Sequence, residues 1–185
     1  MGRWLLTVLL LVGCTFSTTI DQQPVDSKPI DAAIDAKPLV ACPVMPSCVN
    51  FRNCEAAHPE SCYYYCSSTE NWQTAQNACQ NIPGGGGCLV TLNDAAESAC
   101  VVAGAGAGGL IYMGQRQPGG SPEPNGSWGW QCGSSSIAPM WNTNEPNDSG
   151  IGGEDCGAPD TNGKWVDVGC GEEFRFVCEK PRRAS

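Results

Sequence analysis

The chain has 185 residues, 41% hydrophobic and 16% charged, which allows one or two folded domains and excludes a disordered or fibrous chain. Its formal net charge is −9, from 10 Lys and Arg against 19 Asp and Glu, so it lacks the basic face that a nucleic-acid binder turns to phosphates. A single histidine, His58, leaves little room for Ser-His-Asp, Cys-His or His-rich metal chemistry, and 13 cysteines point to an oxidising compartment.

Met1-Gly2-Arg3 is a short basic start, and Trp4 to Val12 is an apolar run too short to span a bilayer. It reads as the hydrophobic region of a signal peptide over residues 1–13. The run ends Leu11-Val12-Gly13-Cys14, which resembles the lipobox of bacterial lipoproteins, where the cysteine is acylated and becomes the mature N-terminus. Twelve cysteines then remain, an even number that can pair completely. Thr15, rather than Asp, follows the cysteine; by that resemblance the product is an outer-membrane lipoprotein, periplasmic or surface-exposed. Residues 14–41, with Asp26-Ser27-Lys28-Pro29 and Asp35-Ala36-Lys37-Pro38 as a weak repeat, read as an acylated cysteine and a flexible tether.

Residues 42–61 form a cysteine-rich extension with Cys42, Cys48 and Cys54 and few core-forming residues, so disulfides must hold it, either to itself or to the chain downstream. No C-x-x-C pair occurs, which argues against a structural metal. The main domain is expected over residues 62–181, with 182–185 as a tail. Ser61 to Tyr65 reads as a strand, Ser67 and Glu70 as a capping box, and Trp72, Ala75 and Cys79 as one face of a helix. Leu89 to Leu92 reads as a short strand, and Asp94 to Val101 as a second helix with Asp94 and Glu97 as its box. Ala103 to Gly109 reads as loop, and Leu110 to Met113 as a buried strand. Residues 114–163 read almost wholly as loop, before closing strands at Trp165 to Val168 and Phe174 to Cys178. The pattern predicts an α+β domain, and a fifty-residue irregular stretch inside it points either to a functional loop or to elements misread as loop.

Ten short motifs then stand in a telling order: Trp72-x-x-Ala75-x-x-x-Cys79, Leu89-Val90-Thr91-Leu92, Tyr112-Met113-Gly114, Trp128-Gly129-Trp130, Trp141, Glu145-Pro146-Asn147, Glu154-Asp155-Cys156, Trp165-Val166-Asp167, Cys170 and Phe176-Val177-Cys178-Glu179. Their order resembles that of C-type lectin-like domains, over about residues 62–180. The resemblance implies two helices, two small antiparallel sheets and a long loop region carrying the ligand site, in a disulfide-rich fold. It also implies the disulfides Cys79–Cys178 and Cys156–Cys170, and a front hairpin in which Cys62 pairs upstream, here taken as Cys54–Cys62. It assigns no partners to Cys66, Cys88, Cys100 and Cys132.

Calcium takes six to eight oxygen ligands. Glu145 and Asn147 flank Pro146, and a cis bond at Pro146 would aim both side-chain oxygens at one point; Glu154 lies in the same loop and Asp167 on the returning strand. By the resemblance, Glu145, Asn147, Glu154 and Asp167 bind calcium and also two neighbouring sugar hydroxyls. The Glu-Pro-Asn order matches binders of mannose, glucose, N-acetylglucosamine and fucose, where Gln-Pro-Asp would indicate galactose. The family's Trp-Asn-Asp stands here as Trp165-Val166-Asp167, and Val166 cannot ligate through its side chain. Asp148 and Asp155 match the loop half of an auxiliary calcium site, without matching upstream acids near Arg116.

A second triplet, Glu123-Pro124-Asn125, reads as a plain turn, and the four tryptophans from Trp128 to Trp165 read as core rather than sugar platforms. The expected function is a non-enzymatic, calcium-dependent carbohydrate-binding module. It would be tethered to the membrane by a lipid and bind glycans or polysaccharide weakly and multivalently, with no nucleic-acid partner. The alternative is a disulfide-stabilised protein-binding or adhesion domain of the same fold, for which Val166 speaks. A hydrolase using Glu154 and Asp155 is disfavoured because adjacent carboxylates point apart.

Overall fold

The structure, a computed structural model, describes residues 38–182 apart from 53, 107 and 136. The expected signal peptide, Cys14 and most of the tether lie outside the described residues. Among the described residues no helix is long and apolar enough to cross a membrane.

Two sheets and two helices make up the domain. The first sheet has the order β1-β2-β9-β3, from β1 (Val49–Asn50), β2 (Ser61–Glu70), β9 (Phe174–Pro181) and β3 (Cys88–Leu89), and β4 (Ile111–Tyr112) adds to β9 in parallel. The second has the order β6-β5-β7-β8, from β6 (Gly129–Trp130), β5 (Gln115–Arg116), β7 (Cys156–Pro159) and β8 (Trp165–Val168). The backbone of the whole is the long antiparallel pair β2–β9, which runs from Ser61 opposite Pro181 to Glu70 opposite Phe174.

Side chains alternate across a strand, so β2 and β9 feed two cores at once. Tyr64, Cys66, Phe176 and Cys178 pack with Trp72, Ala75 and Cys79 of helix α1 (Trp72–Gln80). Tyr63 and Val177 pack with Val101 and Ala105 of helix α2 (Ala95–Ala105), and with Val90, Leu92, Met113 and Trp165.

The helix ends correct the sequence reading in two places. Ser67 and Glu70 do not cap α1; they lie on β2, with Glu70 paired to Phe174, and Asn71 is the cap, accepting from the Thr74 amide at 2.9 Å. Helix α2 does not stop at Val101 but runs into the Gly/Ala stretch read as loop, ending at Gly106 with φ +74°. Alanine is the strongest helix former, and the apolar residues Val101 and Ala105 bury against the second core. Gly104 belongs there for another reason: a Cβ would lie 2.5 Å from the Phe51 ring. At the start of α2, Asp94 accepts from the Glu97 amide at 2.8 Å, while the Glu97 carboxylate reaches back to the Asn93 amide at 2.6 Å.

Among the described residues six disulfides pair twelve cysteines: Cys42–Cys62, Cys48–Cys66, Cys54–Cys100, Cys79–Cys178, Cys88–Cys132 and Cys156–Cys170. The expected Cys54–Cys62 bond is therefore corrected. Cys62 faces the α1 core and Cys54 the α2 core, on opposite sides of the sheet, so the two sulfurs cannot meet. Cys42 and Cys48 reach β2 and Cys54 reaches α2, so residues 42–54 are stapled to the body of the domain rather than to themselves; Met45 is buried in the α1 core.

Candidate carbohydrate and cation site

The long loop is anchored on β8. The Trp165 amide donates to the Met140 carbonyl at 2.9 Å and the Asn142 amide to the Trp165 carbonyl at 2.8 Å, so the chain before Glu145 runs beside Trp165. Trp141 meets Trp128 edge-on at 4.8 Å and Trp165 at 5.8 Å, and Trp130 meets Trp165 at 5.8 Å. This row of indoles is packing that supports the loop; Trp165 is 1% exposed. The Glu145–Pro146 peptide is cis, Pro146 is buried, and Asp148 follows at φ +49°.

Asp167 holds the turn together. It is 4% exposed, and its carboxylate accepts the Asn147 amide at 2.9 and 3.1 Å and the Asp148 amide at 2.8 Å. A buried carboxylate is tolerated only with such partners. The Asn147 side chain donates to Glu145 Oε2 at 2.6 Å, and its own carbonyl accepts the Ser149 amide at 2.7 Å. That amide also reaches Glu154 Oε2 at 2.9 Å, while the Glu154 amide donates to Asp148 Oδ1 at 2.9 Å, closing the 148–154 turn. Gly150 is needed at this closure because a Cβ would lie 2.7 Å from Glu154 Cγ.

The four predicted residues thus share one end of the domain. Glu145, Asn147 and Asp167 are linked directly through the turn, and Glu154 is linked through Ser149. Among the described residues no Lys, Arg or His pairs with any of these acids. The strain shows at Glu145: burial, then the neighbouring Asp167 carboxylate and more distantly Glu154, pushes its carboxyl up to about 7. Among the described residues no three His, Cys, Asp or Glu side chains stand close enough to hold an ion as they are; Asp167 and Glu154 are turned to backbone amides and Glu145 to the Asn147 side chain. The chemistry of the set, three carboxylates and an amide carbonyl without a cation, nevertheless fits a hard divalent ion. Val166 packs against the α1 core and adds no oxygen.

Glu123 was missed. Its triplet does form a turn with a cis Glu123–Pro124 bond, and its carboxyl is raised by desolvation and then by the charges of Asp148, Asp155 and Asp167. The only trace of this in the sequence is the duplicated Glu-Pro-Asn.

The sequence model for the lectin C-type domain matches residues 68–180. The chain belongs to the C-type lectin domain family. This C-type lectin domain is 30% identical over 119 residues to the human C-type lectin domain family 17 member A, covering 64% of this chain and 29% of that protein. The carbohydrate-recognition domain of the human scavenger receptor C-type lectin superposes with a TM-score of 0.61 at 26% identity, covering 77% of this chain and all of that one. That of cow CD23, solved in the presence of GlcNAc2Man3 oligosaccharide, superposes with a TM-score of 0.59 at 28% identity, covering 79% of this chain and 98% of that one. The chain spans 29–50% of the length of the first curated relatives it matches, and all of these are eukaryotic. The family is a carbohydrate-binding and generally non-enzymatic one whose members typically bind calcium.

Proposed function

We propose that this chain is a calcium-dependent carbohydrate-binding module for mannose-type ligands, tethered to a bacterial membrane through acylated Cys14. The observation that carries the binding site is the gathering of Glu145, Asn147, Glu154 and buried Asp167 at one loop where, among the described residues, no Lys, Arg or His pairs with them. A bound calcium ion supplies open coordination positions that two neighbouring sugar hydroxyls can fill. Glu145 and Glu154 accept hydrogen bonds from those hydroxyls, and the Asn147 amide donates one. Asp167 orients the turn from below through the Asn147 and Asp148 amides. Few contacts at an exposed site give a single-site affinity in the millimolar range, about −4 kcal/mol. The tether reading rests on the Leu11-Val12-Gly13-Cys14 sequence alone.

The test is a glycan array probed with and without a calcium chelator. Mannose-type glycans should be retained only with calcium, and binding that survives chelation rejects the mechanism. Glu145→Gln with Asn147→Asp should move preference toward galactose, because it exchanges which side of the hydroxyl pair meets a donor. Val166 favours a second reading, a protein-binding domain without sugar chemistry, since the position that carries an amide in sugar-binding relatives is given over to packing. An empty array together with capture of a defined protein ligand would select it.

A further inference from the structure

A second concavity lies at the open edge of the first sheet. Among the described residues β3 pairs with no strand but β9, and the Leu89 amide on its other side donates to Gln76 Oε1 at 3.0 Å. A cleft of about 490 Å³ beside it is lined by Cys88, Thr91, Cys132, Ser134, Glu179 and the backbone of Gly87. It shares no residue with the Glu145–Asp167 site. The volume suits a small organic molecule and far exceeds a bare ion.

The cleft is built rather than incidental. The Cys88–Cys132 disulfide ties the loop at 132 to β3, and the Thr91 hydroxyl donates to the Cys132 carbonyl at 2.7 Å. Gly87 cannot carry a side chain, because a Cβ would lie 2.3 Å from the Cys79 carbonyl oxygen, so this wall stays bare backbone. With the Cys88–Cys132 disulfide and the bare backbone of Gly87, more of the lining is apolar than polar.

The charge in the cleft is Glu179. Its Oε1 accepts the Ser61 hydroxyl at 2.6 Å and its Oε2 the Thr91 amide at 3.2 Å, which leaves about half of its acceptor capacity free. Among the described residues no Lys, Arg or His forms an ion pair with it. Its neighbour Lys180 donates to the Gly85 carbonyl instead. A second acid, Glu97, is fully buried and held by the hydroxyl of Tyr63, the residue opposite Glu179 on β2, at 2.5 Å. Burial holds the Glu179 carboxyl above its usual range; Glu97 adds to this, while the Ser61 hydroxyl, the Thr91 amide and His58 oppose it. A half-buried carboxylate backed by another acid favours a cation. One carboxylate is too few for calcium, which takes six to eight oxygen ligands.

We propose that this cleft is a second binding site, for a small organic cation with an ammonium group on a compact apolar body, and that Glu179 is its counter-charge. The ammonium donates to the free lone pairs of Glu179, and the body lies against the Cys88–Cys132 disulfide and Gly87.

The experiment titrates the full chain, in chelator, with cyclohexylammonium and with its neutral counterpart cyclohexanol, following the amide resonances of Gly87, Thr91 and Gly133. Cyclohexylammonium should shift them saturably, with cyclohexanol weaker by about tenfold or more. Glu179→Gln, which keeps an acceptor for Ser61, should abolish that preference. Ser134→Trp, at the rim and away from the carboxylate, should block both compounds, and serves if the first variant does not fold. Equal binding of the two compounds, no saturable shift, a preference that survives Glu179→Gln, or unchanged shifts in Ser134→Trp each overturn the proposal. Because the chelator disables the calcium-dependent site, failure here leaves the lectin reading standing.

Discussion

Val166 is a half-buried valine packed against the α1 core, one residue before the carboxylate that organises the proposed sugar site. Val166→Asn exchanges that packing for an additional oxygen ligand. The variant should lose about 1 kcal/mol of stability without calcium. It should nevertheless reach half of its calcium-induced rise in Tm at a lower calcium concentration than the parent, and an unmoved midpoint would show that position 166 does not face the ion. His58 gives a separate, pH-dependent prediction. It pairs with Asp94 at 3.3 Å and Glu60 at 3.5 Å. Burial opposes its charge, but Glu97, Asp94 and Glu60 outweigh that and raise its pKa above 6.5. A histidine raised in the folded state contributes stability that is complete below its unfolded value and is lost as pH climbs through the folded one. Denaturant midpoints should therefore fall as pH rises from about 6.5, and His58→Gln should flatten that slope.

At the level of elements, the two loop-closing disulfides differ in reach. Cys79–Cys178 joins α1 to β9 across 99 residues, whereas Cys156–Cys170 closes 14. Chain-entropy reasoning assigns about 4–5 kcal/mol to a loop of the first size and about 3 to one of the second. The other crosslinks already shorten the longer loop, which narrows the gap. The paired substitution Cys79→Ala/Cys178→Ala should still cost more than Cys156→Ala/Cys170→Ala in urea unfolding under oxidising conditions. These elements also show how far a sequence can be read. Helix α1 was legible because Trp72, Ala75 and Cys79 repeat at the helical period, and β8 and β9 because branched and aromatic residues cluster there. The end of α2 was not, since a Gly/Ala run looks the same as helix or loop until Val101 and Ala105 find a core. The partner of Cys54 depends on which face of β2 each sulfur occupies, a fact of packing that cysteine spacing does not carry. At the candidate site, motif order drew attention to Glu145, Asn147, Glu154 and Asp167, whereas the hydrogen bonds that link them depend on the path of the loop.

For the whole molecule, weak single sites matter through number. If Cys14 carries the proposed lipid, many copies on one surface should hold a mannose-coated particle about a hundredfold or more tighter than the free domain does. Cys14→Ser should remove both membrane fractionation and this gain while leaving monovalent binding unchanged; membrane association that persists would refute the anchor. Strand β9 bears on how such a molecule is made. It contacts β2, β3 and β4 and carries one end of the 99-residue crosslink, with Ser61 opposite Pro181. The sheet consequently stays open until the last strand of the domain has been synthesised, so, if the chain is exported as its N-terminal sequence suggests, the cysteines from Cys42 to Cys170 meet an oxidising compartment before the fold can sort their partners. Its yield should then depend on a thiol-disulfide isomerase more than on any chaperone acting during translation.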